Sequence, residues 1–438
     1  MGLEKYDVRK YIPFNFLFST ENSKLQDEAR ILLTDIKAYT GRKDDVKKEF
    51  MVKLLLNLNL GWRTSNMISI SRRSEFYSGI DARYRSDTQS FDTVVNIIDL
   101  LSYNDYIKIY LGFKNFNDGT GQNSKIKPLQ KLIPIIQTIT PGDFILVPPA
   151  ETIILRNAEG KDEDYKDTPK IIKWRADLEK YNNFLTKNEV SLVGLTRDLI
   201  NKNSSYFQNY DLVDTFNIDT IDESDFTKIV LKYLQMRRIF NIDFTKGGRF
   251  YGGVESIPSE LRPLLQINGT PTIEFDYSSY QIRMLYHKQK INYIQDAYST
   301  LCTGNILNER EMYKLVALIV LNSSDEKAAL KGIRNKFYEQ GLMDSRKSKT
   351  DAVLKSLIKN FEDHHPQLKK YFYSGIGSKL QYADSEITNE ILKYFTNKET
   401  LVLSVHDSFI IAEEHKDVLL RKMIKEYKKV FRFDPVIK

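Results

Sequence analysis

Cysteine is almost missing from this chain of 438 residues, with Cys302 as the single example. One cysteine excludes an internal disulfide framework and a zinc site built from thiolates, so a reducing compartment is expected. Long apolar runs are also missing, because Leu315–Leu321 has seven residues and a bilayer span needs roughly 20. With no apolar run before a small-residue cleavage site near the start, we expect a cytoplasmic protein that has no secretory signal and no membrane partner.

The chain is long, basic overall and rich in aromatic residues. A chain of this length exceeds the size at which one hydrophobic core keeps growing, so two or three domains are expected. Its 41% hydrophobic and 28% charged residues exclude wholesale disorder and collagen-like repeats. The net charge of +7 permits a polyanionic partner, and 26 Tyr with 24 Phe suit base stacking and core packing equally.

The first 156 residues are predicted to form an α+β domain. Apolar residues at helical spacing predict helices at 25–40, 44–60 and 90–102. A short strand on each side of the Gly-rich segment 114–124 predicts a hairpin, with strands at 106–110 and 125–127. Helices followed by a hairpin are typical of a winged-helix domain that binds nucleic acid, and equally of an α+β support domain. A nucleic-acid-binding surface is slightly favoured over an ordinary solvent-exposed charged face by four basic residues: Arg72, Arg73, Arg83 and Arg85.

Three further segments organise the rest of the chain. The acidic stretch 157–169 has few apolar residues and predicts a surface loop or a domain boundary. Helices are predicted at 174–203 and 226–240, and a basic loop at 343–350. The remaining histidines are expected at the surface: His287, His364, His365 and His415.

Two aspartates lie where buried strands are predicted to end. Asp276 closes the strand 271–277, and Asp407 interrupts the β-branched run 401–411 beside His406. A carboxylate between buried strands needs a partner, and a divalent metal ion is a common one. Two such carboxylates suit phosphoryl transfer by two metal ions. On the predicted helix 309–321, Arg310 and Lys314 are four residues apart and share one face, where they could grip a triphosphate.

In this order the motifs resemble the palm-and-fingers core that family A DNA polymerases share with the single-subunit RNA polymerases of phages and mitochondria. Asp276–Arg283 resembles motif A, and Val405–Phe409 resembles motif C. Arg310, Lys314 and position 322 have the spacing of motif B. Gly248-Arg249 and a helix opened by Leu380-Gln381 resemble two further elements of these polymerases, so the similarity covers residues 240–430.

Three positions depart from the family A pattern. Asn322 stands where a tyrosine is usual, and Gln281 stands where family A DNA polymerases place a glutamate that excludes the ribose 2′-hydroxyl. Ser408 follows Asp407 where DNA polymerases carry a second carboxylate, and His-Asp-Ser is the form found in RNA polymerases. The fold that the resemblance implies is an α+β right-hand core, with palm and fingers at 241–438 and a helical thumb or connecting region at 170–240.

The implied activity is template-directed addition of nucleoside monophosphates to a 3′-hydroxyl, as a DNA-directed RNA polymerase or a primer-making enzyme. A family A-like DNA polymerase is one alternative, and a non-catalytic winged-helix replication initiator with a decayed palm is another. Expected partners are nucleoside triphosphates and a nucleic-acid template and product, and a second protein subunit is left open. The expected metal cofactor is two Mg²⁺ ions, or Mn²⁺ in their place. If a phage or plasmid encodes the chain, the compartment is the host cytoplasm.

The resemblance also assigns roles to individual residues. Asp276 and Asp407 are the implied metal ligands, and the implied catalytic set adds Arg310, Lys314 and His406 to them. The implied substrate-binding residues are Arg249, Ser278, Gln281, Arg283, Asn322 and Gln381.

Overall fold

The computed structural model describes residues 11–41, 43–114, 121–209, 227–231, 234–304, 308–342 and 350–438. Its buried apolar side chains form two separate clusters, one within residues 12–139 and one within residues 153–431. We call residues 11–146 the first unit and residues 151–438 the second unit. The tip of the predicted hairpin at 115–120 and the basic residues 343–349 lie outside the described residues.

The first unit packs helices against a four-stranded sheet of order β1-β3-β7-β4. Its helices are α1 (Ser23–Asp35), α2 (Asp44–Thr64), α3 (Ser74–Ser78), α4 (Phe91–Tyr103) and α5 (Ile133–Ile136). Its strands are β1 (Tyr11–Pro13), β2 (Phe18–Ser19), β3 (Met67–Ile70), β4 (Ile107–Tyr110), β5 (Phe113–Lys114), β6 (Gly121–Gln122), β7 (Ser124–Pro128) and β8 (Ile145–Leu146).

The helices predicted in the first unit are present, and each has a physical cause. Asn22 and Ser90 cap α1 and α4 by accepting hydrogen bonds from the first backbone N–H groups. The middle of α2 is buried on all sides, so this helix forms the centre of the first core. The predicted hairpin is the antiparallel pair β4 and β7, in which Ile109 faces Ile126. The succession of helices and hairpin is therefore confirmed, while the use of this unit as a winged helix stays a prediction.

The second unit contains a six-stranded sheet of order β11-β10-β14-β15-β17-β16 and a three-stranded sheet of order β13-β12-β9. Its strands are β9 (Ile153–Arg156), β10 (Val190–Leu195), β11 (Thr227–Val230), β12 (Met236–Asn241), β13 (Asp243–Gly252), β14 (Leu265–Ile267), β15 (Thr270–Asp276), β16 (Val402–Val405) and β17 (Ser408–Ala412). Its helices are α6 (Pro169–Leu185), α7 (Arg197–Lys202), α8 (Ser204–Asn209), α9 (Tyr280–Lys288), α10 (Glu309–Asn322), α11 (Glu326–Glu339), α12 (Asp351–His364), α13 (Gly377–Asn397) and α14 (Lys416–Phe431).

The prediction of a helical region at 170–240 is wrong in two places. The helix that starts at Pro169 ends at Leu185, and Val190–Leu195 forms the strand between β11 and β14 of the large sheet. The stretch predicted as a helix at 226–240 contributes β11 and β12 instead. Apolar periodicity in short runs does not separate a buried helix from a buried strand. Here β11 pairs with β10 and β12 pairs with β13, and these sheet partners override the local helical propensity.

Two histidines expected at the surface are buried instead. His365 accepts a hydrogen bond from the Tyr286 hydroxyl at Nδ1, and its Nε2 donates to the Ala297 carbonyl, both at 2.9 Å. His287 lies in the core, where its Nδ1 is 2.9 Å from the Tyr427 hydroxyl. Burial lowers the pKa of each imidazole to about 4. His364 and His415 remain more exposed, as expected.

Because His287 and His365 are buried and neutral, we expect the folded protein to lose stability in mild acid. Each is neutral in the folded protein and takes up a proton in the unfolded chain at a pKa near 6.5, so stability is complete above about pH 6.5 and declines toward pH 4. Melting temperatures measured across this range should fall in the wild type and fall less in the double variant His287→Gln/His365→Gln. His415→Gln, a change at a more exposed site, should keep the wild-type slope. An unchanged slope in the double variant would contradict this account.

Candidate active site

The centre of the site is a hairpin turn between two fully buried strands. Val405 and Ser408 pair across β16 and β17, so His406 and Asp407 form a two-residue turn. His406 has a left-handed backbone with φ of 55°. The carboxylate of Asp407 therefore projects from the end of a rigid strand pair, as the sequence predicted from the uncharged residues on both sides.

Asp276 lies directly beside this turn. It is the last residue of β15, and its register partner on β17 is Ser408, the residue after Asp407. Opposite residues of antiparallel strands have Cα atoms about 5 Å apart, and the Tyr277 N–H points at the Asp407 carbonyl at 3.4 Å. The two aspartates predicted to act together are thus neighbours, with Asp276 at the end of β15 and Asp407 in the turn directly before β17.

The charge around Asp276 is unbalanced. Loss of surrounding water raises the pKa of its carboxyl group to about 7, and the negative charges of Asp407 and Glu274 contribute. Lys314 and Lys438 act in the opposite direction without cancelling this effect. The residue nevertheless stays open to solvent. A divalent cation between the two aspartates would remove the repulsion, which fits the chemistry of a magnesium site.

The acidic neighbour Glu274 was not predicted from the sequence. It lies two residues before Asp276 on the same face of β15 and accepts hydrogen bonds from the Ser408 hydroxyl and from Arg262, the latter at 3.0 Å. Ser408, which replaces a carboxylate of the DNA polymerases, thereby holds a different carboxylate near the pair. Because side chains alternate between the two faces of a strand, Glu274 could have been placed on the same face as Asp276 from the sequence. No nearby residue indicated that Ser408 and Arg262 would be its partners.

Helix α10 supplies the cations on the Asp276 side. Arg310 and Lys314 are four residues apart on it, as predicted. Lys314 is close enough to lower the pKa of Asp276, and its Nζ is 3.2 Å from the Glu311 carboxylate. Arg310 donates to Asp296 at 2.8 Å. Burial raises the pKa of Asp296, but this ion pair and two backbone N–H donors outweigh burial and lower the pKa overall. Of the predicted triphosphate-binding pair, Lys314 therefore lies near Asp276, and Arg310 is held by Asp296.

Backbone pairing with residues 436–438 fixes the position of Asp276. Asp276 and Lys438 exchange two backbone hydrogen bonds of 2.9 Å, and the Ser278 N–H donates to the Val436 carbonyl at 2.9 Å. Ser278 is buried in this arrangement. The sequence carried no signal for this contact, because it joins segments that are distant in the chain.

Strand β13 and helix α13 bring an ion pair close to Asp407. Arg249 on β13 donates from Nε to the Asp384 carboxylate on α13 at 2.8 Å. Burial lowers the pKa of Arg249, but the charges of Asp384 and Asp407 outweigh it and raise the pKa overall. A side chain at position 248 would meet the Phe240 ring at 2.6 Å, so the glycine before Arg249 allows the strand to approach closely.

His406 projects toward the same side. Its Nε2 is 3.5 Å from the Glu255 carboxylate, and its ring meets the Tyr251 ring edge to face with centroids 5.9 Å apart. Burial lowers the pKa of His406, and the nearby Arg249 lowers it further. A neutral imidazole next to Asp407 is suited to accepting or donating a hydrogen bond at a substrate hydroxyl.

The other predicted substrate-binding residues differ in where they lie. Gln281 in the first turn of α9 and Gln381 in the first turns of α13 are both half-buried. Asn322 ends α10, and its Nδ2 donates to the Leu318 carbonyl at 2.7 Å, one turn back in the same helix. Because its amide bonds within its own helix, Asn322 does not hold Gln281 in the way that a tyrosine is expected to hold the glutamate in family A polymerases.

Arg283 does not lie where a substrate-binding residue should. It is 1% exposed, and its guanidinium donates to the backbone carbonyls of Ser278, Tyr293 and Gln295. The seven-residue spacing from Asp276 therefore marks a residue that ties α9 to the segment after it. This corrects its assignment to substrate.

Two of the four arginines in the basic cluster of the first unit pair with acidic residues. Arg72 pairs with Asp99 at 2.6 Å. Arg83 contacts Asp164, Glu151 and the Tyr165 ring, all in the second unit, so the predicted acidic loop docks on the first unit. The outer face of α4, which a winged helix would present to a groove, exposes four residues: Asp92, Asn96, Asp99 and Tyr103. Two carboxylates on that face disfavour contact of α4 with phosphate.

Among the described ranges, no helix is both long and apolar enough to cross a bilayer. Three or more His, Cys, Asp or Glu side chains do not gather into a metal-binding group within the part of the chain that the structure describes. The chain matches no protein-family model. It also has no significant match among curated proteins.

Proposed function

We propose that this chain is a template-directed nucleotidyltransferase that adds nucleoside monophosphates to a 3′-hydroxyl, in the manner of a DNA-directed RNA polymerase or a primer-making enzyme. The observation that carries the proposal is the adjacency of Asp276, at the end of β15, and Asp407, in the turn directly before β17, with Lys314 of α10 near Asp276. Two carboxylates and a bordering cationic helix are the protein groups that such a reaction needs.

The two aspartates suit Mg²⁺ better than a metal that needs a full protein cage. Magnesium takes one or two carboxylates and completes its shell with water and substrate phosphates, so a third protein ligand is not required. Asp276 and Asp407 would hold two such ions, or Mn²⁺, which stabilise the charge on the attacking and leaving oxygens.

In this proposal the remaining work is divided between the residues of α10 and those near β13. On the α10 side, Arg310 and Lys314 bind the triphosphate and keep the α-phosphorus in line with the attacking oxygen. On the β13 side, His406 and Arg249 face the growing strand and orient its 3′-end. Gln281 and Gln381 are assigned to contacts with the sugar and the base pair.

A primer-extension assay with a single nucleotide tests the proposal. A labelled primer on a DNA or RNA template, with Mg²⁺ and one triphosphate at a time, should be extended only by the nucleotide complementary to the next template base. Changing that base should change the nucleotide used. Extension that ignores the template, or none on any primed template, would contradict the proposed function.

The sugar of the substrate is predicted from Gln281. Its neutral amide can donate a hydrogen bond to a ribose 2′-oxygen, which a glutamate cannot do. Sites that bond a substrate hydroxyl discriminate against the analogue that lacks it. Wild-type kcat/KM should therefore be at least as high for an NTP as for the matched dNTP, and Gln281→Glu should shift the ratio toward the dNTP.

The control for this comparison is Gln137→Glu, an exposed change in the first unit that should leave the ratio unchanged. A wild-type preference for the dNTP of about 100-fold, or roughly 2.7 kcal/mol, would favour the DNA polymerase alternative instead.

A further inference from the structure

The outer side of helix α14 carries a row of exposed basic residues that takes no part in the candidate site. Four cations, the last of which caps the helix, follow each other at spacings of four, three and four residues and so share one side: Arg421, Lys425, Lys428 and Arg432. We call them the basic stripe. The opposite side of α14 is apolar and buried in the second core: Leu419, Met423, Tyr427 and Phe431. Helix α14 is therefore held by its apolar side and presents the stripe to solvent.

Two lysines next to the stripe have an acidic partner, but most of the stripe has none. Lys422 and Lys429 each lie 2.7 Å from the buried carboxylate of Glu426. Within the stripe, Lys428 lies 3.0 Å from Asp434. In the part of the chain that the structure describes, the other three cations form no ion pair and no side-chain hydrogen bond: Arg421, Lys425 and Arg432. Neighbouring cations without partners repel each other, so an anionic ligand would stabilise them.

The shape of the stripe fits an extended polyanion. Arg421 and Arg432 are eleven residues apart, so the cations cover about 16 Å of helix, the length of about five phosphates of one strand. A lipid surface fits less well, because a membrane-bound helix inserts its apolar side, and here that side is buried in the protein. An acidic protein also fits less well, since protein interfaces are anchored by aromatic and apolar side chains and the stripe consists of cations alone.

Helix α14 lies behind the strand that ends at Asp276. The Tyr277 hydroxyl donates to the Met423 carbonyl of α14 at 2.8 Å, so the Tyr277 side chain points toward the helix. Successive residues of an extended chain point to opposite sides. The exposed side chain of Asp276 therefore points away from α14. The stripe is thus on the other side of the strand from the carboxylate and does not hold the reacting 3′-end.

A short segment connects the stripe to the edge of the site. The Val436 carbonyl accepts a 2.9 Å hydrogen bond from the N–H of Ser278, two residues after Asp276. Arg432 precedes Val436 by four residues, which span at most about 14 Å. A nucleic acid that runs from the aspartates to the stripe has to turn around this edge. A duplex is too stiff for such a turn, since its persistence length is about 150 base pairs, whereas an unpaired strand is flexible.

We propose that the basic stripe of α14 binds the phosphate backbone of the unpaired template strand beyond the reaction site. This inference rests on the proposed function, because the template is the single strand that such an enzyme holds. Each phosphate that a cation neutralises releases condensed counterions, so the contact adds affinity that falls with salt and is independent of base sequence. The stripe keeps the template attached without touching the reacting groups.

The test is the affinity of the triple variant Arg421→Gln/Lys425→Gln/Arg432→Gln for a labelled primed template, measured without triphosphate over a range of salt. The long template carries about 30 unpaired nucleotides on each side of the primer, which is ample to reach the stripe. The variant should bind it about tenfold more weakly at low salt. The slope of log affinity against log salt should fall by about 2, since each contact to a single strand contributes roughly 0.7. A template trimmed to about two unpaired nucleotides, too short to reach α14, should bind both proteins equally.

The matched control removes three lysines that already have acidic partners and changes the net charge by the same amount: Lys336→Gln/Lys355→Gln/Lys359→Gln. It should keep the wild-type affinity and salt slope. The variant Arg421→Lys/Arg432→Lys should also bind as wild type, because affinity for a polyanion follows charge rather than donor geometry.

Unchanged affinity in the triple variant, or an equal loss in the matched control, would overturn the proposal. An equal loss with the trimmed template would also overturn it, since the stripe would then act at the reaction site. Tighter wild-type binding to phosphatidylserine vesicles or to poly-glutamate than to the long template, lost in the triple variant, would assign the stripe to a membrane or an acidic protein instead. Because no triphosphate is present, the outcome is separate from whether the wild type extends primers.

Discussion

Asp276→Asn and Asp407→Asn are each expected to reduce nucleotide incorporation by on the order of 10³-fold, because each removes a metal ligand that acts on the transition state. Binding of a primed template should be nearly unchanged, since affinity for a polyanion comes from many dispersed Lys and Arg residues. The measurements are single-turnover extension rates and template affinity for each variant. Asparagine keeps the side-chain volume, so the hairpin turn and the β15 edge should still form.

Metal-free stability supplies an independent readout for the same variants. The pKa of Asp276 is raised, so its ionised form is less favourable in the folded protein than in the unfolded chain, and the folded state loses stability as pH rises toward about 7. Asp276→Asn should therefore melt no lower than wild type at neutral pH without metal, and Mg²⁺ should raise its melting temperature less. Asp417→Asn is the matched control and should behave as wild type in every assay.

Equal loss of template binding in Asp276→Asn and Asp407→Asn would identify the aspartates as structural. Normal incorporation by either variant would show that the aspartate it replaces is not a metal ligand. These results are separable because activity, binding and stability are measured on the same preparations.

Lys314→Ala and Arg310→Ala should lower kcat and raise nucleotide KM together. Each lost contact between a cation and phosphate is worth roughly 1.5 to 3 kcal/mol, or about 10- to 100-fold in kcat/KM. Lys314 should have the larger effect on kcat, because it is the helix residue that acts directly on Asp276. Steady-state kinetics with one matched nucleotide measure both constants.

Helix α11 offers a matched control for Lys314. Lys336 forms an exposed ion pair with Glu339 three residues away, as Lys314 does with Glu311, but its charge is not among those that act on Asp276. Lys336→Ala should leave both constants unchanged. If Lys314→Ala incorporates nucleotides as fast as Lys336→Ala, the assignment of α10 to the triphosphate is wrong.

The local parts of the site could be predicted from the sequence. Uncharged β-branched residues on both sides of His406-Asp407 allow little except a turn between buried strands, and β16 and β17 form that turn. The strand ending at Asp276 and the helix carrying Arg310 and Lys314 follow from equally clear periodicity. Order along the chain then suggested that these elements meet.

The supporting residues could not be predicted, because their partners are far apart in sequence. Arg249 and Asp384 are 135 residues apart, and Arg238 and Ser385 are 147 residues apart. No local pattern distinguishes a buried charged residue that has such a partner from an ordinary exposed one. The same reason explains Arg283, whose spacing resembled a substrate contact and whose acceptors are backbone carbonyls.

Strands β11 and β12 show the other limit. The apolar residues of 226–240 fit a helix as well as they fit strands, and the sheet partners that decide between them lie elsewhere in the chain. Residues 436–438 are a similar case, because their pairing with Asp276 and Ser278 depends on the finished fold.

The most direct test of the central claim is extension of a labelled primer by one templated nucleotide as a function of Mg²⁺ concentration, with wild type and Asp407→Asn side by side. We predict that the wild type extends the primer in a Mg²⁺-dependent manner, releases one pyrophosphate per addition and stops when the metal is chelated. We predict that Asp407→Asn extends the primer on the order of 10³-fold more slowly than the wild type at every Mg²⁺ concentration. Extension by wild type that persists after chelation, or equal extension by the two proteins, would contradict the assignment of Asp276 and Asp407 as the catalytic metal site.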